Sequence, residues 1–199
     1  MAATDYALKA AIVPFIAALK TRAPGIRVRV IPDSPQMLFA QTERGDIDIA
    51  LLTPHSTPPD LHNRTLYQEE YVCLMRTDHT LAAAPLTLDL FCSLEHVLVS
   101  WQGDSFRGVT DEALAALGRS RRVELSVSSF LVLPEILAIS DMIAVPPRRL
   151  AKIADGMHIA PPPLTIPGFS KSMAWHERSH RDPAQQWLRE LLFRTNQQK

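Results

Sequence analysis

Residues 43–50 read Glu43-Arg44-Gly45-Asp46-Ile47-Asp48-Ile49-Ala50 and run on into Leu51-Leu52. A charged pair, a glycine and then alternating apolar residues predict a helix end, a left-handed cap and a strand. The helix upstream spans about 37–44, and before it IRVRVI (26–31) alternates like a strand. Strand, helix and returning strand make the βαβ unit, in which the two strands run parallel. This stretch decides for an α/β fold.

Working outward, Leu8, Ile12, Phe15, Ile16 and Leu19 recur at helical spacing behind Thr4, a candidate N-cap. Pro14 is placed to bend that helix and Pro24-Gly25 to stop it. Two strands are expected near 63–67 and 71–76, followed by the polar, proline-marked TDHTLAAAP (77–85). A second round then begins. Thr87 can cap LDLF, and strand 96–100, helix 109–117 closed by Gly118, strand 122–127 and helix 130–139 follow. Strand 142–145, helix 148–154 and a short strand 158–160 complete it. Beyond PPPLTIPG (161–168) come strand 171–175 and an amphipathic helix 184–195, introduced by Asp182 as N-cap and Pro183 at the first helical position. Two α/β rounds predict two similar lobes, with ligands at the carboxyl ends of their strands and in the cleft between them.

The bulk composition narrows the function. The 199 residues are 46% hydrophobic and carry 21 basic against 21 acidic side chains. A domain that held nucleic acid by itself would be basic, so direct DNA binding by these residues alone is not expected. No apolar run approaches the ~20 residues of a membrane span. MAATDYALKA lacks the layout of a secretory signal, so a cytoplasmic location is expected. Cys73 and Cys92 have no CxxC neighbour and read as reduced, mostly buried thiols, with a Cys73–Cys92 bridge left open.

His176-Glu177-Arg178-Ser179-His180 spells H-E-x-x-H, the pattern that places two histidines one helical turn apart around a zinc. Here the helix starts after His180, at Asp182-Pro183, so the two imidazoles need not converge. A third ligand is wanting too, since the residues after His180 include no His or Cys and, besides the capping Asp182, only Glu190 as an acid. No metal site and no cofactor is expected. No G-x-S-x-G elbow occurs, and Gly103-Asp104-Ser105-Phe106-Arg107-Gly108 is one residue too long for one. That segment reads equally as an anion cradle at a helix start or as the helix start alone. Ser128 or Ser129 reads first as an N-cap. Trp175 and Trp187 read as packing residues, with Trp175 the better candidate to face a ligand. Arg121-Arg122 and Arg148-Arg149 read as solvated starts of a strand and a helix.

These pieces together resemble the effector-binding domain of LysR-type transcriptional regulators over essentially the whole chain. Residues 4–30 look like that family's first helix and strand, 43–50 match its ERGELDLAL signature, and RTDHTLA (76–82) looks like its next marker. SFRGVTDEALAALG (105–118), SDMIAVPPRRLA (140–151) and WHERSHRDPAQQWLRELL (175–192) resemble the branch of nodulation and aromatic-degradation regulators. The resemblance implies a periplasmic-binding-protein-like fold of two Rossmann-like lobes joined by two crossovers. Lobe I would be 1–84 plus 168–199 and lobe II 85–167, with the winged helix-turn-helix absent from this chain. It implies a small effector, aromatic or an aromatic acid, held by Thr4, Asp5, Ser105, Phe106, Arg107, Ser128, Ser129, Phe130, Met173 and Trp175. Related aromatic-acid responders align a histidine near Arg107 and another at Ser129, and the departures here leave Arg107 as a candidate partner for a carboxylate or phenolate. The other implied partners are a second copy of the chain (a dimer, or a tetramer at full length) and DNA, reached only through the missing N-terminal domain. No catalytic residue is implied. The alternatives are a transporter's solute-binding protein, which would share the fold, and a hydrolase.

Overall fold

A computed structural model of the protein describes residues 1–34, 36–100 and 105–197. The chain runs through β1 (Ala2–Ala3), α1 (Asp5–Ala7), α2 (Val13–Arg22), α3 (Leu38–Arg44), β2 (Ala50–Leu52), β3 (His62–Glu69), β4 (Cys73–Arg76), α4 (Leu88–Ser93) and β5 (Glu95–Val99). It continues through α5 (Val109–Ala116), β6 (Arg122–Val127), α6 (Leu133–Ala138), β7 (Ile143–Ala144), α7 (Arg148–Ala151), β8 (Met157–Ala160), β9 (Phe169–Trp175) and α8 (Pro183–Gln197). Two compact units result, residues 1–68 with 169–199 and residues 69–168.

In the first unit the sheet order is β1-β2-β9-β3. β1 runs parallel to β2, and β9 returns antiparallel to β2. The Gly45 cap forms as the sequence predicts: φ is +89°, and the Asp46 and Ile47 N–H groups both return to Gln41 O. Alternation then sorts β2 by face. Ala50 and Leu52 join Leu38, Ile47 and Ala174 in one apolar cluster, while Leu51 points to the other side. α2 packs against α8, and the Asn196 side-chain amide donates to Ala11 O at 3.4 Å.

Pro14 leaves its mark as a change of helix type. Residues Leu8–Ile12 form a π turn in which Val13 N–H bonds Leu8 O, five residues back. A proline removes one N–H and presses its ring on the carbonyl four residues earlier, and the wider turn just ahead of it relieves both.

The extended stretch 26–31 differs from the expected strand. It bonds β1 through Ile31 N–H to Met1 O and Ala3 N–H to Ile31 O, and only Ile31 forms a ladder bridge. It lies beyond β1 at the sheet edge, and β1 is only two residues long, too short to template a longer partner.

The second unit has the order β6-β5-β7-β4-β8, with β5 parallel to β6 and β7, and β4 antiparallel to β7 and β8. Val72 and Leu74 face Leu133 and Leu137 of α6, whereas Cys73 and Met75 face Phe91 of α4 and Leu114 of α5. Helices therefore cover both sides of the sheet. Cys73 and Cys92 are both free thiols, and burial pushes the Cys73 thiol up to about 12.

The position of β4 moves the division of the chain. The boundary expected after residue 84 falls instead at 68/69, because β4 is hydrogen-bonded on both edges and packed on both faces within the second sheet. The second crossing, at 168/169, lies next to the expected one.

Candidate functional site

In the first unit the strand ends position Thr4 and Asp5. Thr4 follows β1 and caps α1 as expected, its Oγ1 accepting from Ala7 N–H at 3.2 Å, while Asp5 Oδ1 accepts from Tyr6 N–H at 2.6 Å. Strand register places a charge near this end. Leu52 pairs with Ser172, and the next residue of β9, Lys171, is 4% exposed. Burial pushes the Lys171 ammonium down to about 8, against the pull of Asp33. Asp33 follows the 26–31 stretch; burial raises its carboxyl, and its Oδ1 is buried without a hydrogen-bond partner. Lys171 also lies over the Tyr6 ring, 5.7 Å from its centroid.

Met173 and Trp175 lie elsewhere along the same strand. Because Leu51 pairs with Met173 and Ala50 with Ala174, Trp175 lies towards the opposite end of the sheet from Thr4. The two residues line a recess of about 320 Å³ with Arg64, His180, Gln186, Arg189 and Glu190. Trp175 is 7% exposed, carries the Arg189 guanidinium 4.5 Å from its ring centroid, and donates its indole N–H to His180 Nδ1 at 3.2 Å. Trp187 is 40% exposed rather than packed, since it falls on the outer side of α8.

The second unit holds a cavity of about 210 Å³ at the carboxyl ends of β5 and β7. Val97, Val99, Phe130, Leu133 and Ala144 supply apolar wall, and Tyr71 before β4, Thr110 at the start of α5 and Arg121 before β6 supply polar groups. Of the expected site residues, Phe130 lines this cavity. Ser129 caps the turn that carries Phe130 by accepting from Leu131 N–H, and Ser128 is exposed. Ser105 Oγ accepts from Arg107 N–H and donates to Arg107 O, and Ser126 Oγ donates to Ser105 O at 2.7 Å. Phe106 is 60% exposed and Arg107 is exposed. Gly103 and Asp104, the first half of the expected anion cradle, lie outside the described residues.

Arg121 corrects the reading of a solvated strand start. Its side chain is 1% exposed and is held by Asp111, while Nη1 donates to His96 Nδ1 at 3.2 Å. His96 is fully buried, and its Nε2 donates to Phe91 O at 2.8 Å. Burial, and then Arg121, push the imidazole down to about 4. Nothing local in the sequence signals this network, whose members are brought together by β5, β6 and α5. Lys171 was detectable as the one charged residue in the strand 171–175.

The H-E-x-x-H stretch is likewise rearranged. α8 does begin at Pro183, with Asp182 Oδ1 accepting from Gln185 N–H at 2.8 Å. His176 caps a short turn through Nδ1, which accepts from Arg178 N–H, and meets Phe39 edge-on. A further imidazole, His62, stands beside Glu177 and His180 from β3. His62, Glu177 and His180 each bring a ligand atom within 4.8 Å of the others.

Residues 1–197 match the model of the LysR substrate binding domain. The chain belongs to this family. It is 34% identical over 178 residues to the HTH-type transcriptional activator NahR of Pseudomonas putida, covering 88% of this chain and 59% of NahR. To the HTH-type transcriptional activator NagR of Ralstonia sp. it is 32% identical over 195 residues, covering 96% and 64%. The regulatory domain of MexT, a transcriptional activator in Pseudomonas aeruginosa, superposes with a TM-score of 0.82 at 30% identity, covering 98% of this chain and 95% of that one.

The chain thus spans about six-tenths of the length of the two curated relatives. As in its LysR family neighbours, the fold is the periplasmic-binding-protein-like one, with two α/β units joined by two crossings. The matched relatives are transcriptional regulators, so this LysR domain is a binding domain and not a hydrolase. Among the described residues no helix is long and apolar enough to cross a membrane.

Proposed function

We propose that this LysR domain senses a small aromatic acid or phenol on behalf of a cytoplasmic transcriptional regulator. The observation that carries the reading is the second unit's cavity at the carboxyl ends of β5 and β7, the edge where open α/β folds take ligands. Drug-sized ligands occupy about 300–1,000 Å³. A cavity of about 210 Å³ with Phe130 in its wall suits a single ring. Likeness to NahR and NagR, and to the aromatic-degradation branch, supports the same ligand class.

In this proposal Ser105, Phe106, Arg107, Ser128 and Ser129 of the same unit serve as further effector-contacting groups, with Arg107 meeting the ligand's negative charge, whereas Met173 and Trp175 line a separate recess of the first unit. The ligand acts by binding one conformation of the domain better than another, since only such a difference in affinity shifts a population. Self-association and DNA recognition belong to the whole regulator. The balanced charge of 21 against 21 supports leaving DNA reading to a helix-turn-helix segment of the kind the relatives' HTH-type names denote.

A thermal-shift panel of single-ring aromatic acids, phenols, aliphatic acids and sugars tests the reading. A rise in Tm with aromatic members is expected, because a ligand that binds only the folded state stabilises it. A folded domain that responds to none of them, or only to sugars and aliphatic acids, contradicts it.

A further inference from the structure

The side chains of His62, Glu177 and His180 stand outside the cavity just described and meet at one edge of the first unit's sheet. His62 projects from β3, and β3 and β9 are neighbours in that sheet. Glu177 and His180 sit on the short turn between β9 and α8. That turn is fixed at both ends: Ser179 N–H returns to His176 O at 3.1 Å, and Asp182 caps α8. The His62 and His180 rings stack at 4.1 Å between centroids with planes 18° apart, and one nitrogen of each lies within 4.8 Å of the other and of a Glu177 carboxylate oxygen. His62 Nε2 is hydrogen-bonded to Glu177 Oε2. The His62 and Glu177 side chains are 39% and 60% exposed, which leaves solvent a path to the cluster.

We propose that His62, Glu177 and His180 form a binding site for one divalent transition-metal ion of the Zn²⁺ or Ni²⁺ type. Two imidazoles and one carboxylate match the ligand preference of such ions, whereas Mg²⁺ and Ca²⁺ want oxygen throughout. Tetrahedral zinc with bonds of about 2.0–2.1 Å needs ligand atoms about 3.3 Å apart. The three atoms here lie within 4.8 Å of one another, and rotation of the exposed Glu177 and the half-buried His62 side chains towards His180 closes the site. Water supplies the remaining position. His176 takes no part, because its ring is turned to Phe39 and it is not among the side chains whose ligand atoms converge.

Loading the site has a specific consequence for Trp175, whose indole N–H is donated to His180 Nδ1. A metal bound through Nδ1 takes the lone pair that the indole uses. A metal bound through Nε2 forces the ring's proton onto Nδ1, which then faces the indole as a second donor. Either way the indole N–H loses its acceptor. The site is independent of the effector reading, and its residues lie in a different unit from the Phe130 cavity.

The test is calorimetric titration of the untagged chain, stripped with EDTA, with NiCl₂ and ZnCl₂, followed in parallel by tryptophan emission. Expected are one ion bound per chain, no response to MgCl₂, and a change in emission that disappears in Trp175→Phe. His62→Ala and Glu177→Gln, each confirmed folded by circular dichroism, should weaken binding at least tenfold, and His176→Ala should bind as the parent does. No stoichiometric binding, or binding retained in both His62→Ala and Glu177→Gln, overturns the proposal. So does binding that His176→Ala alone abolishes.

Discussion

The Arg121 guanidinium grips the Asp111 carboxylate with two parallel hydrogen bonds, Nε to Oδ1 and Nη2 to Oδ2, each 2.9 Å long. Asp111 Oδ2 also accepts from Gly108 N–H at 2.9 Å, so the pair ties β6 to the first turn of α5 beside the cavity. Burial alone would raise the Asp111 carboxyl, but the bonds and charge of Arg121 outweigh it and hold it below the ordinary carboxylate range. Removing one partner of a buried pair leaves the other charge uncompensated. Arg121→Ala should therefore lower unfolding free energy by about 3–5 kcal/mol in a urea titration. Arg121→Lys should recover only part of this, because an ammonium cannot reproduce the two-pronged contact.

His96 makes stability depend on pH. Its folded value of about 4 lies below the ordinary 6.5, so between these limits the unfolded chain binds more protons. Its contribution is then fully present above pH 6.5 and is lost as pH falls towards 4, about 3 kcal/mol in all. Urea midpoints measured from pH 7.5 to 4.5 should fall steadily in the parent. In His96→Gln, which can still donate to Phe91 O and accept from Arg121, that part of the slope should vanish.

Gly45 and Gly118 separate backbone strain from crowding. Both have positive φ, +89° and +67°. A methyl group at Gly118 meets nothing within 4 Å, whereas at Gly45 it would come within 3.0–3.2 Å of the Arg178 guanidinium, whose Nε donates to Thr42 O. Gly118→Ala should cost the left-handed strain alone, about 1–2 kcal/mol. Gly45→Ala should cost more, and Arg178→Ala in the same chain should remove the excess, a coupling that a double-mutant cycle of melting curves reads directly.

Lys171 is held at a cost to stability. Its buried ammonium is protonated at pH 7 in both states, but burial disfavours that charge in the fold. Lys171→Met keeps length and volume but takes the cation away from Asp33, so the gain at pH 7, about 1–3 kcal/mol of unfolding free energy, should appear in full only when Asp33→Asn accompanies it. The folded value of about 8 lies below the ordinary 10.5, so the parent regains stability as pH rises between them. The gap between parent and Lys171→Met should therefore narrow from pH 8 to 10.5.

What the sequence disclosed and what it hid divide by range of interaction. The end of α3 at Gly45, the start of α8 at Asp182-Pro183 and the whole of β6 at Arg122–Val127 were legible, because caps, prolines and alternation act within a few residues. Sheet membership was not. The apolar run at 71–76 looks alike in either sheet, and only pairing with β7 and β8, about 70 and 85 residues on, assigns β4 to the second unit. Burial of Arg121 needed Asp111 and His96 on other elements, and the third donor beside Glu177 and His180 was His62, on a strand more than 100 residues earlier. The H-E-x-x-H stretch lies ahead of α8, as the Asp182-Pro183 start predicts, yet two of its residues meet a partner that no local pattern could supply.

The most direct test of the effector reading is calorimetric titration of the chain with the aromatic acid that raises its Tm most, in the parent and in Phe130→Ala. The account predicts one site per chain, with affinity at least tenfold weaker once the Phe130 ring is gone from the cavity wall while melting confirms a folded protein. Equal affinity in the folded Phe130→Ala variant, or no heat of binding from any aromatic acid, contradicts it.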